Sequence, residues 1–166
     1  MHSIQAYQEH FLNYLQQQHF LRDPKNLYEP IDYILGLGGK RMRPVLTLMA
    51  TDIFDVDYKK AISAAKAVEV FHNFSLVHDD IMDDAPLRRG NETVHEKWNI
   101  NTGILSGDAM LILAYQFFEV YEPNIFQKLA KLFSKTALEV CEGQQYDVDF
   151  ETRDDVTIPE YLKISY

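Results

Sequence analysis

The sequence predicts an all-α fold, and three observations carry that expectation. Apolar residues recur at helical spacing through most of the 166 residues. β-Branched runs with period-two alternation are scarce. Glycine, proline and capping residues stand where the periodic stretches stop, with six of seven glycines and five of six prolines at expected breaks. The exceptions are Gly107, inside the apolar stretch GILSGDAMLILAYQFF, and Pro159.

The first helix is expected over residues 3–21, with Ser3 as N-cap and Ile4, Tyr7, Phe11, Leu12 and Leu15 as its apolar positions. Tyr28 to Leu35 suits a short helix ended by Gly36, Gly38 and Gly39. Pro44 suits the first turn of the next, because its missing N–H is not needed there. The polar DVDYKK marks a turn before a long helix from Lys59 to Asp84. Pro86 and Gly90 frame a loop, and two further helices follow over Thr102–Tyr121 and Pro123–Tyr146. Thr157-Ile158-Pro159-Glu160 has the form of a capping box with proline in the first turn, and so announces another helix. Six residues follow it, too few for a stable helix by itself. The expectation is therefore the front part of something longer.

Bulk composition narrows the function classes. The chain is 46% hydrophobic with one Trp, ten Tyr and ten Phe, which argues for a packed core. A formal charge of −9 disfavours binding along nucleic-acid backbones. One cysteine, Cys141, excludes an internal disulfide framework and fits a reducing compartment. The N-terminus has no signal-peptide pattern, and the most apolar stretch carries Asp108 near its centre. These features describe a cytoplasmic globular protein without a membrane span.

The chemistry is concentrated in His78-Asp79-Asp80-Ile81-Met82-Asp83-Asp84, followed by Leu87-Arg88-Arg89-Gly90. On a helix Asp79 and Asp83 stack on one face, with Asp80 and Asp84 beside them. The helix end created by Pro86 is the wrong end for negative charge, at a cost of roughly 0.3–1 kcal/mol per exposed group. A hard divalent cation removes that cost. Mg2+ takes one or two carboxylates and accepts phosphate oxygens. Arg88 and Arg89 add guanidinium forks suited to phosphate. Upstream, Gly38-Gly39-Lys40-Arg41-Met42-Arg43-Pro44 places three cations on a glycine-rich turn entering a helix, a second anion-binding arrangement.

GGKRMRP, HNFSLVHDDIMDDAPLRRG, TGILSGDAM and GQQYDVDFE, in that order, resemble the trans-polyprenyl diphosphate synthase family from about Ile31 onward. The resemblance implies a helical bundle of the isoprenoid synthase type, here its N-terminal half, and a Mg2+-dependent prenyltransferase that joins isopentenyl diphosphate to an allylic diphosphate. It assigns Asp79, Asp80 and Asp83 to the first aspartate-rich motif, with Asp79 and Asp83 as metal ligands. Arg88 would hold the allylic diphosphate. Lys40, Arg43, His72 and Arg89 would hold isopentenyl diphosphate, and Gln144 would line the same cavity. Phe74 and Ser75 are the candidates for setting product length at C15–C20. Helix geometry favours Ser75, about 40° from Asp79, over Phe74 at about 140°. A homodimer is implied as well. A second aspartate-rich motif and a later lysine, both found in the family, have no counterpart in these 166 residues. The expectation is that this chain alone has little or no activity, and that an incomplete core exposes apolar surface through which it associates.

Other classes fit part of the pattern. Glu69…His72 and Glu92…His95 are both Glu-x-x-His, and with Glu119 and Glu139 they form the ligand set of a di-iron carboxylate bundle. Pro86 and Gly90 interrupt that arrangement, and it leaves the aspartates and the GKRMR turn unexplained. A terpene cyclase would share the aspartates without needing Lys40 and Arg43. A non-catalytic fragment or binding subunit on the same helices would bind diphosphate without turnover.

Overall fold

The computed structural model describes residues 2–162. Its regular structure is helical apart from one small hairpin. The chain divides into two compact units, Met1–Val120 and Tyr121–Tyr166.

In the first unit, α1 (Ile4–Gln16) starts at Ser3, whose hydroxyl accepts the Ala6 N–H at 3.2 Å. It ends five residues earlier than the sequence predicts. The polar run after it is drawn into tertiary contacts instead. Lys66 Nζ donates to Gln18 Oε1 at 2.8 Å, and the Phe20 ring meets Phe117 edge-on at 6.4 Å. α2 (Lys25–Gly36) begins three residues before the expected start, so Pro30 falls beyond its first turn instead of within it, buried. α3 (Met42–Ile53) carries Pro44 in its first turn, as expected. Tyr7 and Phe11 of α1 join Val45 and Leu48 of α3 and Ala65 in a fully buried cluster. Each large apolar side chain so buried contributes about 1.5–3 kcal/mol.

The long helix begins with a short 3-10 turn (Tyr58–Ala61) and continues as α4 (Ile62–Met82). Its run Ser63-Ala64-Ala65-Lys66-Ala67 is buried: the small side chains let neighbouring helices approach closely, and Lys66 bonds to Gln18 and lies over the Phe117 ring. α4 packs chiefly against α6 and α3.

The expected Pro86–Gly90 loop is a hairpin of β1 (Leu87–Arg88) and β2 (Asn91–Glu92), with Arg88 opposite Asn91. The two turn residues, Arg89 (φ 54°) and Gly90 (φ 78°), both have the positive φ that a type I′ turn requires. Arginine is a rare first residue for that turn, which hid the hairpin in the sequence. A short α5 (Val94–Lys97) follows, also unanticipated. Asn99 then caps α6 (Ile100–Gln116), which starts two residues before Thr102 and stops before the predicted Tyr121.

Gly103 and Gly107 lie on α6 itself, so more than one glycine sits within a helix. A Cβ on Gly107 would come within 2.3 Å of His78 Nε2, and one on Gly103 within 2.8 Å of Ile81 Cδ1. These two glycines set how closely α6 approaches the aspartate-bearing end of α4. Gly107→Ala is expected to lower stability by about 1–3 kcal/mol through overpacking. Urea unfolding followed by circular dichroism checks this.

The second unit contains α7 (Pro123–Phe150), which runs four residues past the predicted Tyr146 and includes Gly143, and α8 (Ile158–Tyr161). The predicted capping box is present: Glu160 Oε2 accepts the Thr157 N–H at 3.0 Å. The end of that predicted helix, 163–166, lies outside the described residues. Among the described residues no helix is long and apolar enough to cross a membrane.

Candidate functional site

The site is built around the C-terminal turns of α4. Asp79 and Asp80 lie in the last turn, and Asp83 is the C-cap, its N–H donating to the Asp79 carbonyl at 2.9 Å. Asp84 follows with φ 48°, its N–H bonded to Ile81 O and that of Ala85 to Asp80 O, which together make a Schellman ending with aspartate in the left-handed position usually taken by glycine.

The aspartates divide by environment. Asp80 is fully buried and held by Arg88, whose Nε donates to both carboxylate oxygens at 2.8 and 2.9 Å and whose Nη2 lies 2.7 Å from Oδ1. Arg88 Nη1 has no hydrogen bond among the described residues and remains available to an anion. Asp80 thus positions Arg88. Asp79 is half-buried and Asp83 exposed. Burial, followed by the charge of Asp83, pushes the Asp79 carboxyl above its usual range against the opposing pull of Arg88. With Arg88 committed to Asp80, the Asp79/Asp83 pair carries negative charge that a divalent cation would neutralise. The donor set, one half-buried and one exposed carboxylate, fits Mg2+, which takes one or two carboxylates and keeps several waters.

The second basic group forms around the α2–α3 turn. Arg43 Nη1 donates to His72 Nε2 at 3.2 Å. Burial and the Arg43 charge push the His72 imidazole down to about 4, so it is neutral near pH 7. Arg89 Nη1 donates to the Gly38 carbonyl, and a Cβ on Gly39 would sit 2.9 Å from that guanidinium. The glycine here permits the hairpin to dock on the turn. Lys40 is exposed on the same turn, and Gln8 Nε2 donates to its carbonyl at 3.1 Å.

Arg41 does not belong to this group. It is buried, with its guanidinium bonded to Glu69 and to the Leu35 carbonyl, and Asn73 Nδ2 donates to Glu69 Oε1 at 3.2 Å. Among the described residues the turn therefore presents two cations without an acidic partner, Lys40 and Arg43, not three. The same bonds remove the di-iron alternative, since Glu69 is engaged by Arg41 and Glu92 lies on β2, not on a helix with His95. Glu119 and Glu139 fall in different units.

Phe74 and Ser75 are half-buried. The Phe74 ring meets His78 at 4.8 Å and Phe71 at 5.5 Å, and Ser75 Oγ donates to the His72 carbonyl at 2.9 Å. Gln144 belongs to α7 of the second unit. Sequence reasoning gave His78 no role of its own; its Nε2 lies 3.2 Å from the Ile104 carbonyl and ties α4 to α6. Its signal was the helical glycine Gly107 that a bulky partner must face.

Residues 24–166 match the polyprenyl synthetase family. The chain belongs to that family. It is 44% identical over 146 residues to a geranylgeranyl pyrophosphate synthase of Geoglobus acetivorans, covering 86% of this chain and 46% of that protein. The crystal structure of a geranylgeranyl pyrophosphate synthase superposes with a TM-score of 0.96 at 59% identity, over 99% of this chain and 50% of the other. The geranylgeranyl pyrophosphate synthetase structure from Geoglobus acetivorans gives 0.84 at 41% identity, over 97% and 52%. The chain thus spans about half the length of these relatives.

Proposed function

We propose that these residues form the N-terminal half of the active site of a short-chain polyprenyl diphosphate synthase, which condenses isopentenyl diphosphate with an allylic diphosphate. The observation that carries this reading is the separation of the basic residues into two groups beside the aspartates: Arg88 held by Asp80, and Arg43, His72 and Arg89 gathered at the glycine turn. Two anion sites suit two diphosphate substrates, whereas a cyclase or a one-ligand binding subunit requires one.

In this reading Asp79 and Asp83 hold Mg2+, which when bound supplies charge neutralisation on the diphosphate oxygens. Arg88 binds the allylic diphosphate and takes up part of the charge that develops as its C–O bond breaks. Lys40, Arg43, His72 and Arg89 orient isopentenyl diphosphate so that its double bond faces the allylic carbon. The neutral imidazole of His72 keeps Arg43 in place without adding a fourth positive charge to Lys40, Arg43 and Arg89. The isopentenyl double bond forms the new C–C bond to the allylic carbon as diphosphate leaves, and the carbon next to the resulting cation gives up a proton to the released diphosphate, restoring a double bond. Gln144, on α7 of the second unit, is proposed as a further substrate-binding residue. Phe74, with Ser75, is the candidate floor of the chain-binding space. Product length is proposed as C15–C20 with C20 ahead, in keeping with similarity to proteins named as geranylgeranyl synthases; a 38% identical protein of Natronomonas pharaonis is named a geranylfarnesyl diphosphate synthase. The exposed Ile104, Leu105 and Ile112 of α6 support a homodimer formed through helices.

The test is product analysis by mass spectrometry with both diphosphates, for the 166-residue chain and for a chain extended to the relatives' full length. The extended protein is expected to make a C15–C20 product only with isopentenyl diphosphate and Mg2+ present. The 166 residues alone are expected to bind diphosphate without turnover. Product formed from the allylic diphosphate alone would overturn the proposal.

A further inference from the structure

Asp84 and the residues just after the hairpin play no part in the chemistry above, yet they form a donor cluster of their own. A ring nitrogen of His95, a carboxylate oxygen of Asp84 and one of Glu96 lie within 4.8 Å of one another. Among the described residues this is the one place where three such groups converge so closely, and Asp79, Asp80 and Asp83 do not.

His95 is 7% exposed, and both its ring nitrogens are buried without a hydrogen-bond partner. Leaving one donor or acceptor buried and unpaired costs about as much as a lost hydrogen bond. Here there are two on one ring, with Nε2 only 3.6 Å from Glu96 Oε1. That spacing suits a shared ion at roughly 2.0–2.2 Å from each atom. The backbone holds the donors in place independently of any ion. Thr93 is fully buried, its hydroxyl donates to the Ala85 carbonyl at 2.8 Å and its N–H to Pro86 O at 3.2 Å. These bonds bring the start of α5 against the end of α4.

We propose that Asp84, His95 and Glu96 form a site for a divalent cation of the Zn2+ type, separate from the Asp79/Asp83 pair, that fastens the end of α4 to α5 across the arginine hairpin. One neutral imidazole and two carboxylates balance a +2 charge. A nitrogen donor selects Zn2+ or Co2+ over Mg2+, which prefers an all-oxygen shell. The exposed sides of Asp84 and Glu96 leave remaining positions to water. The ion satisfies a nitrogen of His95 and cancels the repulsion between the two carboxylates. By closing the base of the hairpin it limits the motion of Arg88 and Arg89.

The test titrates the 166-residue chain with Co2+, read by its visible absorption, and then with Zn2+, both in excess Mg2+. One equivalent of Co2+ is expected to bind and to be displaced by Zn2+. Asp84→Asn and Glu96→Gln change exposed side chains, and asparagine tolerates the left-handed backbone at 84, so both variants keep the fold. Each is expected to weaken Co2+ binding at least about tenfold. The Asp79→Asn/Asp83→Asn double variant is expected to leave it within about twofold. Zn2+ at a hundredfold excess over its Kd should raise the melting temperature by roughly 5–10 °C in the unaltered chain and not in Glu96→Gln. Absence of saturable binding overturns the proposal. So does unchanged affinity in both single variants, which would place the ion on other histidines such as His2 and His10, or equal competition by Mg2+.

Discussion

Replacing both Asp79 and Asp83 with alanine is expected to abolish the dependence of diphosphate binding on Mg2+. Calorimetry with a non-hydrolysable diphosphate analogue should show binding at least about 100-fold weaker than the unaltered chain when Mg2+ is present. In chelator the two proteins should bind alike, because the arginines remain. The reasoning rests on how differently the neighbouring aspartates are placed. Asp80 is neutralised by Arg88 inside the protein, whereas burial and Asp83 both push the Asp79 carboxyl up. Among the described residues, the carboxylates not held by a direct ion pair with an arginine or lysine are therefore on the 79/83 face. The substitution removes acidic groups from a helix C-terminus, where each exposed one costs roughly 0.3–1 kcal/mol. The variant should thus be at least as stable as the parent, which separates loss of binding from loss of fold. An analogue that binds equally well with and without Mg2+ in the unaltered chain would sink the assignment.

The sequence carried the helices well and the connections poorly. α3, α4, α7 and the Thr157 cap follow from periodicity, proline placement and capping residues, which act within a few positions. The early end of α1 and the hairpin depend on contacts made far along the chain. Gln18 leaves the helix for Lys66, and Arg89 adopts its positive φ while its guanidinium docks on Gly38 and Gly39. Within the site, the facing of Asp79 and Asp83 could be read from a four-residue spacing. The pairing of Asp80 with Arg88 could not, since it requires the hairpin to turn back along α4. Arg41 was read as one of three phosphate-facing cations and Glu69 as a possible iron ligand, and each assignment treated a buried residue as a surface one. The signal was present: Glu69 stands in ISAAKAVEVFHNFSLV, a stretch apolar on nearly every face, and a carboxylate buried in such a helix must find a cation.

That pair gives the other large effect. Glu69→Ala is expected to destabilise the chain by about 3–5 kcal/mol, because it leaves the Arg41 guanidinium buried without its counter-charge. Arg41 is 4% exposed and Glu69 2%, so water cannot readily replace the lost carboxylate. The consequence extends to the candidate site. Arg41 caps α3 from a left-handed backbone conformation (φ 50°), with Lys40 immediately before it and Arg43 two residues after. Once the guanidinium is no longer held against α4, the turn loses the anchor that presents both cations, and Arg43 loses its fixed approach to His72. Chemical denaturation should report the stability loss, and diphosphate analogue binding under native conditions should weaken in parallel even where the folded fraction is restored by osmolyte. The Arg41→Met/Glu69→Leu double variant separates charge from position: replacing a buried ion pair by apolar residues of similar volume is often neutral or stabilising. Near-parental stability in that double variant, beside a large loss in Glu69→Ala, would assign the cost to the stranded charge. A Glu69→Ala chain as stable as the parent would mean that Arg41 finds another partner or reaches solvent, and the anchoring role would fail with it.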